Sequence, residues 1–89
     1  MAFHADKIEE FRAVLERHHQ WPCEYVFKFI VQQNELQHAL SIFSKEQITM
    51  KSSSNGKYTS LTWTKLVHSS DEIISVYLRA SEIQGIISI

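Results

Sequence analysis

The chain has 89 residues, of which 44% are hydrophobic, and this length supports one hydrophobic core and one domain. Nine basic and ten acidic residues leave a net charge of −1, which excludes the overall positive field that draws proteins onto nucleic acids or anionic membranes. The single cysteine, Cys23, excludes an intramolecular disulfide and a cysteine-based zinc cluster, and with no apolar signal segment or membrane-spanning run a cytoplasmic protein is expected.

The first predicted element is an amphipathic helix over residues 6–18. Apolar side chains recur there every three to four residues, and charged side chains fill the opposite face. Asp6 with Glu9 three positions later matches a capping box, so Asp6 is the expected helix cap. Pro22 ends the helical periodicity, because proline lacks the backbone donor that a helix interior needs.

A strand is predicted over residues 24–31, because aromatic and β-branched side chains dominate this run. A second helix follows, for which Asn34 is the expected cap and Gln37 its reciprocal partner, and it is expected to end near residues 44–46. Period-two alternation turns one set of strand side chains inward, namely Tyr25, Phe27, Phe29 and Val31. The apolar stripe of the helix is Leu36, Ala39, Leu40 and Phe43.

A β-hairpin is predicted around Asn55 and Gly56, because both residues tolerate the positive φ that tight turns between twisted strands require. Its strands cover residues 48–51 and about 57–66, with a loop over residues 52–56. The inward side chains of these two strands are expected to be Ile48, Met50, Thr59, Leu61 and Trp63.

The remaining elements are a third helix and a last strand. The helix is expected to begin after Ser69 or Ser70, with Glu72 completing a capping box, and the strand is expected over residues 85–89. The apolar stripe of this helix is Ile73, Val76, Tyr77 and Ala80.

Without the first helix the predicted order is β-α-β-β-α-β, which is the ferredoxin-like arrangement of the α+β class. Two crossover helices then lie on one face of a four-stranded antiparallel sheet, with residues 1–20 as an extra N-terminal helix and residues 21–89 as the domain. The other face is left uncovered, and its apolar content indicates an interface. Either the N-terminal helix or a second copy of the chain is expected to cover it. The side chains placed there are Val26, Lys28, Ile30, Tyr58, Ser60, Thr62, Thr64, Ile87 and Ile89.

A Trp-Pro pair at residues 21–22 leads into an aromatic strand centred on Lys28. Residues 51–60 fit the pattern Lys-x-Ser-Ser-x-Gly-x-Tyr-x-Ser, and a Val-Tyr pair follows at residues 76–77. Over residues 21–89 the chain therefore resembles the YbeD-like family of small bacterial proteins of unknown function. The resemblance implies a ferredoxin-like fold, with a shape similar to the small-molecule-sensing regulatory domains attached to enzymes of amino-acid biosynthesis.

The hairpin loop offers hydroxyl, ammonium and backbone N–H groups that could surround a phosphate or carboxylate. The loop is neither a P-loop nor a dinucleotide fingerprint, because it has no Gly-x-x-x-x-Gly-Lys and does not join a strand to a helix. The competing interpretation is a polar turn that its lysines keep soluble. The candidate ligand-binding residues are Lys51, Ser52, Ser53, Ser54 and Lys57.

No metal site or cofactor is expected, because three of the five histidines, His4, His38 and His68, lie in separate elements without cysteine or carboxylate partners at ligand spacing. His18 and His19 are adjacent on a helix and splay about 100° apart. Either imidazole could activate the thiol of Cys23, but a lone thiol at the start of a strand is more often a small half-buried hydrophobe.

Enzymatic activity is not expected either. Acylphosphatases, which share this fold, hold phosphate with an arginine in the loop after the first strand, and here that loop is residues 32–34, Gln-Gln-Asn. RNA-recognition domains stack bases on aromatic side chains of the open sheet. Here Tyr58 is the one aromatic predicted on that face, with Lys28 beside it, so nucleic-acid binding is disfavoured.

The sequence thus predicts a non-enzymatic regulatory or protein-interaction module that acts through the uncovered sheet face, with a protein partner or a second copy bound there. The alternative is a sensor that holds a small anionic ligand at its serine-rich hairpin. The sequence gives no sign of a membrane partner.

Overall fold

The computed structural model describes residues 5–43 and 48–88. In chain order these residues form helix α1 (Ala5–His18), strand β1 (Cys23–Gln32), a 3₁₀ turn (Gln33–Glu35), helix α2 (Leu36–Ile42), strands β2 (Ile48–Ser52) and β3 (Tyr58–Val67), helix α3 (Ser70–Ala80) and strand β4 (Ile87–Ser88). None of the helices within these two ranges has the length and apolar content needed to cross a membrane.

The four strands form one antiparallel sheet in the order β2-β3-β1-β4. The central pair, β1 and β3, is matched along its whole length, from Cys23 opposite Val67 to Gln32 opposite Tyr58. With one helix between β1 and β2 and another between β3 and β4, this order is the ferredoxin-like arrangement. The predicted α+β fold is therefore confirmed.

The core lies between this sheet and the helices. On β1 and β3 alternate side chains point into it, and the predicted inward residues Phe27, Phe29 and Leu61 are almost fully buried. Tyr77 from α3 packs over both phenylalanines, with ring centroids 5.6 Å from each. Burial raises the pKa of the Tyr77 phenol, whose oxygen lies 3.4 Å from that of Tyr25. The predicted stripe of α3 is buried, and Ile74 joins it.

Met50 is an exception to the predicted inward set. Its partner in the register is Leu61, which places Met50 on the helix side of the sheet. The Met50 side chain nevertheless remains 52% exposed. The reason is its position on the edge strand β2, because α2 and α3 pack over the central strands β1 and β3. Ile48 is half-buried against the core, as predicted.

The start of α2 also differs from the prediction. Asn34 lies exposed in the 3₁₀ turn, and Glu35 takes the cap position without a side-chain hydrogen bond to the backbone. The preceding Gln33 is tied to the hairpin, because its N–H donates to the carbonyl of Lys57 at 2.9 Å and its Oε1 accepts from Thr59 Oγ1 at 2.6 Å. These bonds hold the chain at the sheet and delay the helix to Leu36. The predicted helix end at residues 44–46 lies outside the described residues.

Helix α1 begins at Ala5, so Asp6 lies inside its first turn and not at the predicted cap position. The helix packs on α3, on the same side of the sheet as α2. Leu15 is 2% exposed and belongs to the core, and Phe11 meets Tyr77 edge-on at 5.5 Å between ring centroids. Arg12 adds an ion pair with Asp71. The helix therefore shares the single core of the chain.

Helix α3 begins as predicted, with Ser69 as its cap. The Ser69 hydroxyl oxygen accepts a hydrogen bond from the Glu72 N–H at 3.3 Å. The Glu72 carboxylate in turn accepts from the His68 N–H at 3.0 Å, one residue before the cap. Both bonds satisfy backbone donors near the helix start.

Replacing Ser69 with alanine is expected to lower the free energy of unfolding by about 1 kcal/mol, because the Glu72 N–H loses its acceptor. Ser69→Asp is the matched control and should retain nearly all of the stability, since aspartate is an equally good cap. Urea denaturation followed by circular dichroism measures both. Equal losses in the two variants would contradict the capping role.

The last strand is shorter than predicted. Only Ile87 and Ser88 pair with β1, opposite Ile30 and Phe29. Gly85 has φ 73° and lies in the turn before the strand. This left-handed conformation cannot continue a β-ladder. Residue 89 lies outside the described part of the chain.

Candidate functional site

The helices cover one side of the sheet, and the opposite side forms a surface that we call the open face. Along the central strands the residues of this face alternate with the buried residues of the core, so the register identifies which residues belong to the open face. The open face comprises Glu24, Val26, Lys28, Ile30 and Gln32 of β1, Thr49 and Lys51 of β2, Tyr58, Ser60, Thr62, Thr64 and Leu66 of β3, and Ile87 of β4. Every predicted interface residue is among them except Ile89, which lies outside the described residues.

The N-terminal helix does not cover the open face. Helix α1 lies against α3 on the other side of the sheet, which excludes one of the two expected covers. Large apolar side chains consequently remain accessible on the open face: Val26 is 48% exposed and Ile87 52%. Tyr58 is 41% exposed. The open face thus carries apolar surface that nothing in residues 5–43 and 48–88 shields.

A shallow depression lies at the hairpin end of the open face. The register aligns four side chains in one row across the sheet, in the order Lys51, Ser60, Ile30, Ile87. Together with Tyr58, Ser52 and Ser53 they line a depression of about 440 Å³. Its walls are the two isoleucines and the tyrosine ring, whereas Lys51 supplies its one positive charge. The depression can hold an apolar group next to an anionic one.

The hairpin loop spans residues 53–57 and is held by its own hydrogen bonds. Ser53 is the centre of this network: its hydroxyl donates to Asn55 Oδ1 at 2.8 Å and accepts from the Tyr58 N–H at 3.1 Å. The Gly56 N–H donates to the Ser53 carbonyl at 3.0 Å. The central residues of this turn are therefore Ser54 and Asn55, not the predicted Asn55 and Gly56. Gly56 follows with φ 72°, a conformation that glycine adopts at little cost.

The predicted anion-binding residues do not form one cluster. Lys51, Ser52 and Ser53 line the depression on the open face. Lys57 lines a separate depression beside the 3₁₀ turn, and Ser54 lines neither. The hydroxyl of Ser53 is already engaged within the loop. The structure thus divides the two hairpin lysines between two surfaces.

Tyr58 and Lys28, the two residues considered for RNA binding, are also separated in the structure. Tyr58 pairs with Gln32, whereas Lys28 pairs with Thr62, four residues further along β3. At about 3.4 Å per residue, the backbones of Tyr58 and Lys28 are roughly 14 Å apart along the strands. The prediction that Lys28 lies beside Tyr58 is therefore wrong. Lys28 lies near the middle of the open face.

Within the described ranges, the histidines and the cysteine are not among the open-face residues. His19 has other partners: its Nδ1 lies 3.0 Å from the Leu15 carbonyl oxygen, and its ring stacks on Trp21 at 5.6 Å. The Trp21 indole N–H donates to Glu16 at 3.0 Å, which lowers the pKa of that carboxyl. Cys23 is half-buried at the start of β1. Within the described ranges, no three His, Cys, Asp or Glu side chains gather as a metal site would require.

Leu66 is an open-face residue that the sequence interpretation missed. It lies opposite Glu24 and is 52% exposed. The signal was present in the chain, because the outward alternation that starts at Tyr58 reaches Leu66 after four steps of two residues. The predicted strand ended at about this residue, so its last outward position was left unassigned.

The fold and the open face define a class of small α+β domains whose antiparallel sheet carries helices on one side and leaves the other side accessible. Within that class, the family model described as protein of unknown function (DUF493) matches residues 16–89. The chain therefore belongs to the DUF493 family, and the resemblance to YbeD-like proteins is confirmed. The match begins in the last turn of α1 and includes every strand. No curated protein and no solved structure matches the chain.

Proposed function

We propose that the chain is a non-enzymatic protein-interaction module whose open face binds a partner protein. The observation that carries the proposal is the apolar-walled depression between Ile30, Ile87 and Tyr58, on a sheet face that α1 leaves uncovered. Burying the exposed half of an isoleucine or valine side chain stabilises a complex by about 1 kcal/mol. Ile87 and Val26 each offer this gain to a partner.

The size of the open face supports a weak or transient interface. The ladder of β1 with β3 is roughly 30 Å long, and the sheet is about 14 Å wide from β2 to β4. Its projected area is on the order of 400 Å², below the roughly 800 Å² per partner of standard stable interfaces. A partner that binds and dissociates readily fits this area. The tyrosine beside the depression is of the residue type enriched at interaction hot spots.

Selection of random displayed peptides on the intact chain tests the proposal, with Ile87→Asp as the diagnostic variant. We expect selected peptides to bind the wild type and to bind Ile87→Asp at least tenfold more weakly, because the substitution places a charge in the apolar wall. Leu78→Asp is the matched control, since Leu78 is similarly exposed on α3, away from the open face. Circular dichroism establishes that both variants are folded.

Two results would overturn the proposal. Peptides that bind Ile87→Asp as well as wild type, but lose binding to Leu78→Asp, would place the interaction on the helices. Sedimentation that shows the wild type as a dimer and Ile87→Asp as a monomer would assign the open face to a second copy of the chain.

A further inference from the structure

We infer that the segment bound by the open face is acidic, with an apolar anchor side chain in the depression and a carboxylate on Lys51. This inference rests on the function proposed above and specifies the chemistry of the partner. Its basis is the charge distribution over the open face, together with the position of Lys51 in the row of side chains that crosses the depression.

The open face is positively charged. Lys28 and Lys51 lie on it, whereas its one carboxylate among the described residues is Glu24, at the opposite end from the depression. Neither lysine forms an ion pair with a carboxylate in the part of the chain that the structure describes. On α1, by contrast, Lys7 and Arg12 both have carboxylate partners. The ammonium groups of the open face are thus available to a partner.

The row of side chains across the depression determines how far the carboxylate of the bound segment lies from its apolar anchor. Lys51 and Ile30 lie two strands apart, which is roughly 10 Å between backbones. The lysine side chain spans more than half of that distance. In an extended bound segment, the residue about two positions from the apolar anchor points to the same side as the anchor. A carboxylate at that position therefore reaches the Lys51 ammonium group. The Ser60 hydroxyl lies between the two and donates to the Lys51 carbonyl at 3.3 Å. By rotating it can donate its single proton to this carboxylate instead.

The same charges disfavour a second copy as the occupant. Two open faces placed together would bring four lysines into one interface, against two carboxylates from the two Glu24 residues. Burying unpaired ammonium groups is costly, and like charges across an interface oppose association. An acidic segment of another protein neutralises Lys51 and Lys28 and still fills the apolar depression.

The inference is tested with short synthetic peptides that each carry one leucine in a serine-glycine background. Matched peptides place glutamate, glutamine or lysine about two residues from the leucine. We expect the glutamate peptide to bind the intact chain about fivefold more tightly than the glutamine peptide, and the lysine peptide to bind weakest. Lys51→Gln should remove this preference, and Lys51→Glu should reverse it. Raising the salt concentration should weaken the preference in the wild type.

Lys57→Gln is the control, because Lys57 lies on the same hairpin but outside the depression. It should leave the preference for glutamate unchanged. A preference that depends on Lys57 and not on Lys51 would overturn the inference and place the anion at the loop. Equal binding of the glutamate and glutamine peptides, still lost in Ile87→Asp, would overturn the inference and leave the proposed function standing. If no peptide distinguishes wild type from Ile87→Asp, both fail.

Discussion

Replacing Phe27 with alanine is expected to lower the free energy of unfolding by about 3–5 kcal/mol. Phe27 is fully buried, and four aromatic rings surround it: those of Tyr25, Phe29, Trp63 and Tyr77 have centroids 4.8, 6.4, 5.4 and 5.6 Å from its own. The residue lies in the central ladder between β1 and β3, where the surrounding structure cannot collapse into the vacated space. Small domains have only about 5–15 kcal/mol of stability, so the variant should be largely unfolded at moderate urea concentrations. Urea titrations followed by circular dichroism measure the change.

The neighbouring residue provides the control. Val26 is next to Phe27 in the chain but points to the open face, so Val26→Ala should cost less than about 1 kcal/mol. A difference of more than about 2 kcal/mol between the two variants is therefore expected. Similar losses would mean that the two faces of β1 are wrongly assigned, and with them the whole open face.

Leu15→Ala is expected to lower the free energy of unfolding by about 2–4 kcal/mol, the second largest effect. Leu15 is 2% exposed and anchors α1 in the core, beside the contact between Phe11 and Tyr77. Removing its side chain leaves a cavity between α1 and the rest of the domain. Thermal unfolding monitored by calorimetry reports the loss as a lower melting temperature.

Val14→Ala is the matched control for α1. Val14 precedes Leu15 in the same helix and is 42% exposed, and alanine has the higher helix propensity, so the change should be close to neutral. If Leu15→Ala were also neutral, α1 would not be docked on α3. In that case its absence from the open face would have to be reconsidered.

The parts of the fold that local patterns determine were predictable. Alternation along β1 and β3 identified the buried and open faces, because a strand has only two sides and one of them must be apolar. The Ser69 cap was equally accessible, since its hydrogen bond joins residues three apart. The same patterns placed eight of the thirteen open-face residues on that face; they did not assign Glu24, Gln32, Thr49, Lys51 and Leu66 to it.

The remaining features depend on contacts between distant segments. Met50 alternates like a core residue, but its exposure follows from the edge position of β2, which only the sheet order determines. Asparagine is a residue type that favours helix caps, yet the hydrogen bonds from Gln33 to the hairpin make α2 begin only at Leu36, after Asn34. The side of the sheet on which α1 packs depends on its contact with Tyr77, more than sixty residues away. The depression likewise requires side chains from all four strands, so no single segment predicts it.

The pairing of β1 with β3 also has a consequence for how fast the chain reaches this structure. Paired residues of this ladder are separated by 26 positions at one end, from Gln32 to Tyr58, and by 44 at the other, from Cys23 to Val67. The hairpin of β2 and β3 closes a short loop, whereas the central ladder must bring distant segments together before its contacts offset the lost chain entropy. Folding should therefore take milliseconds or longer, slower than a helical bundle of the same length. Mutations that strengthen the hairpin alone would speed folding only insofar as the contacts of the hairpin are themselves formed in the transition state.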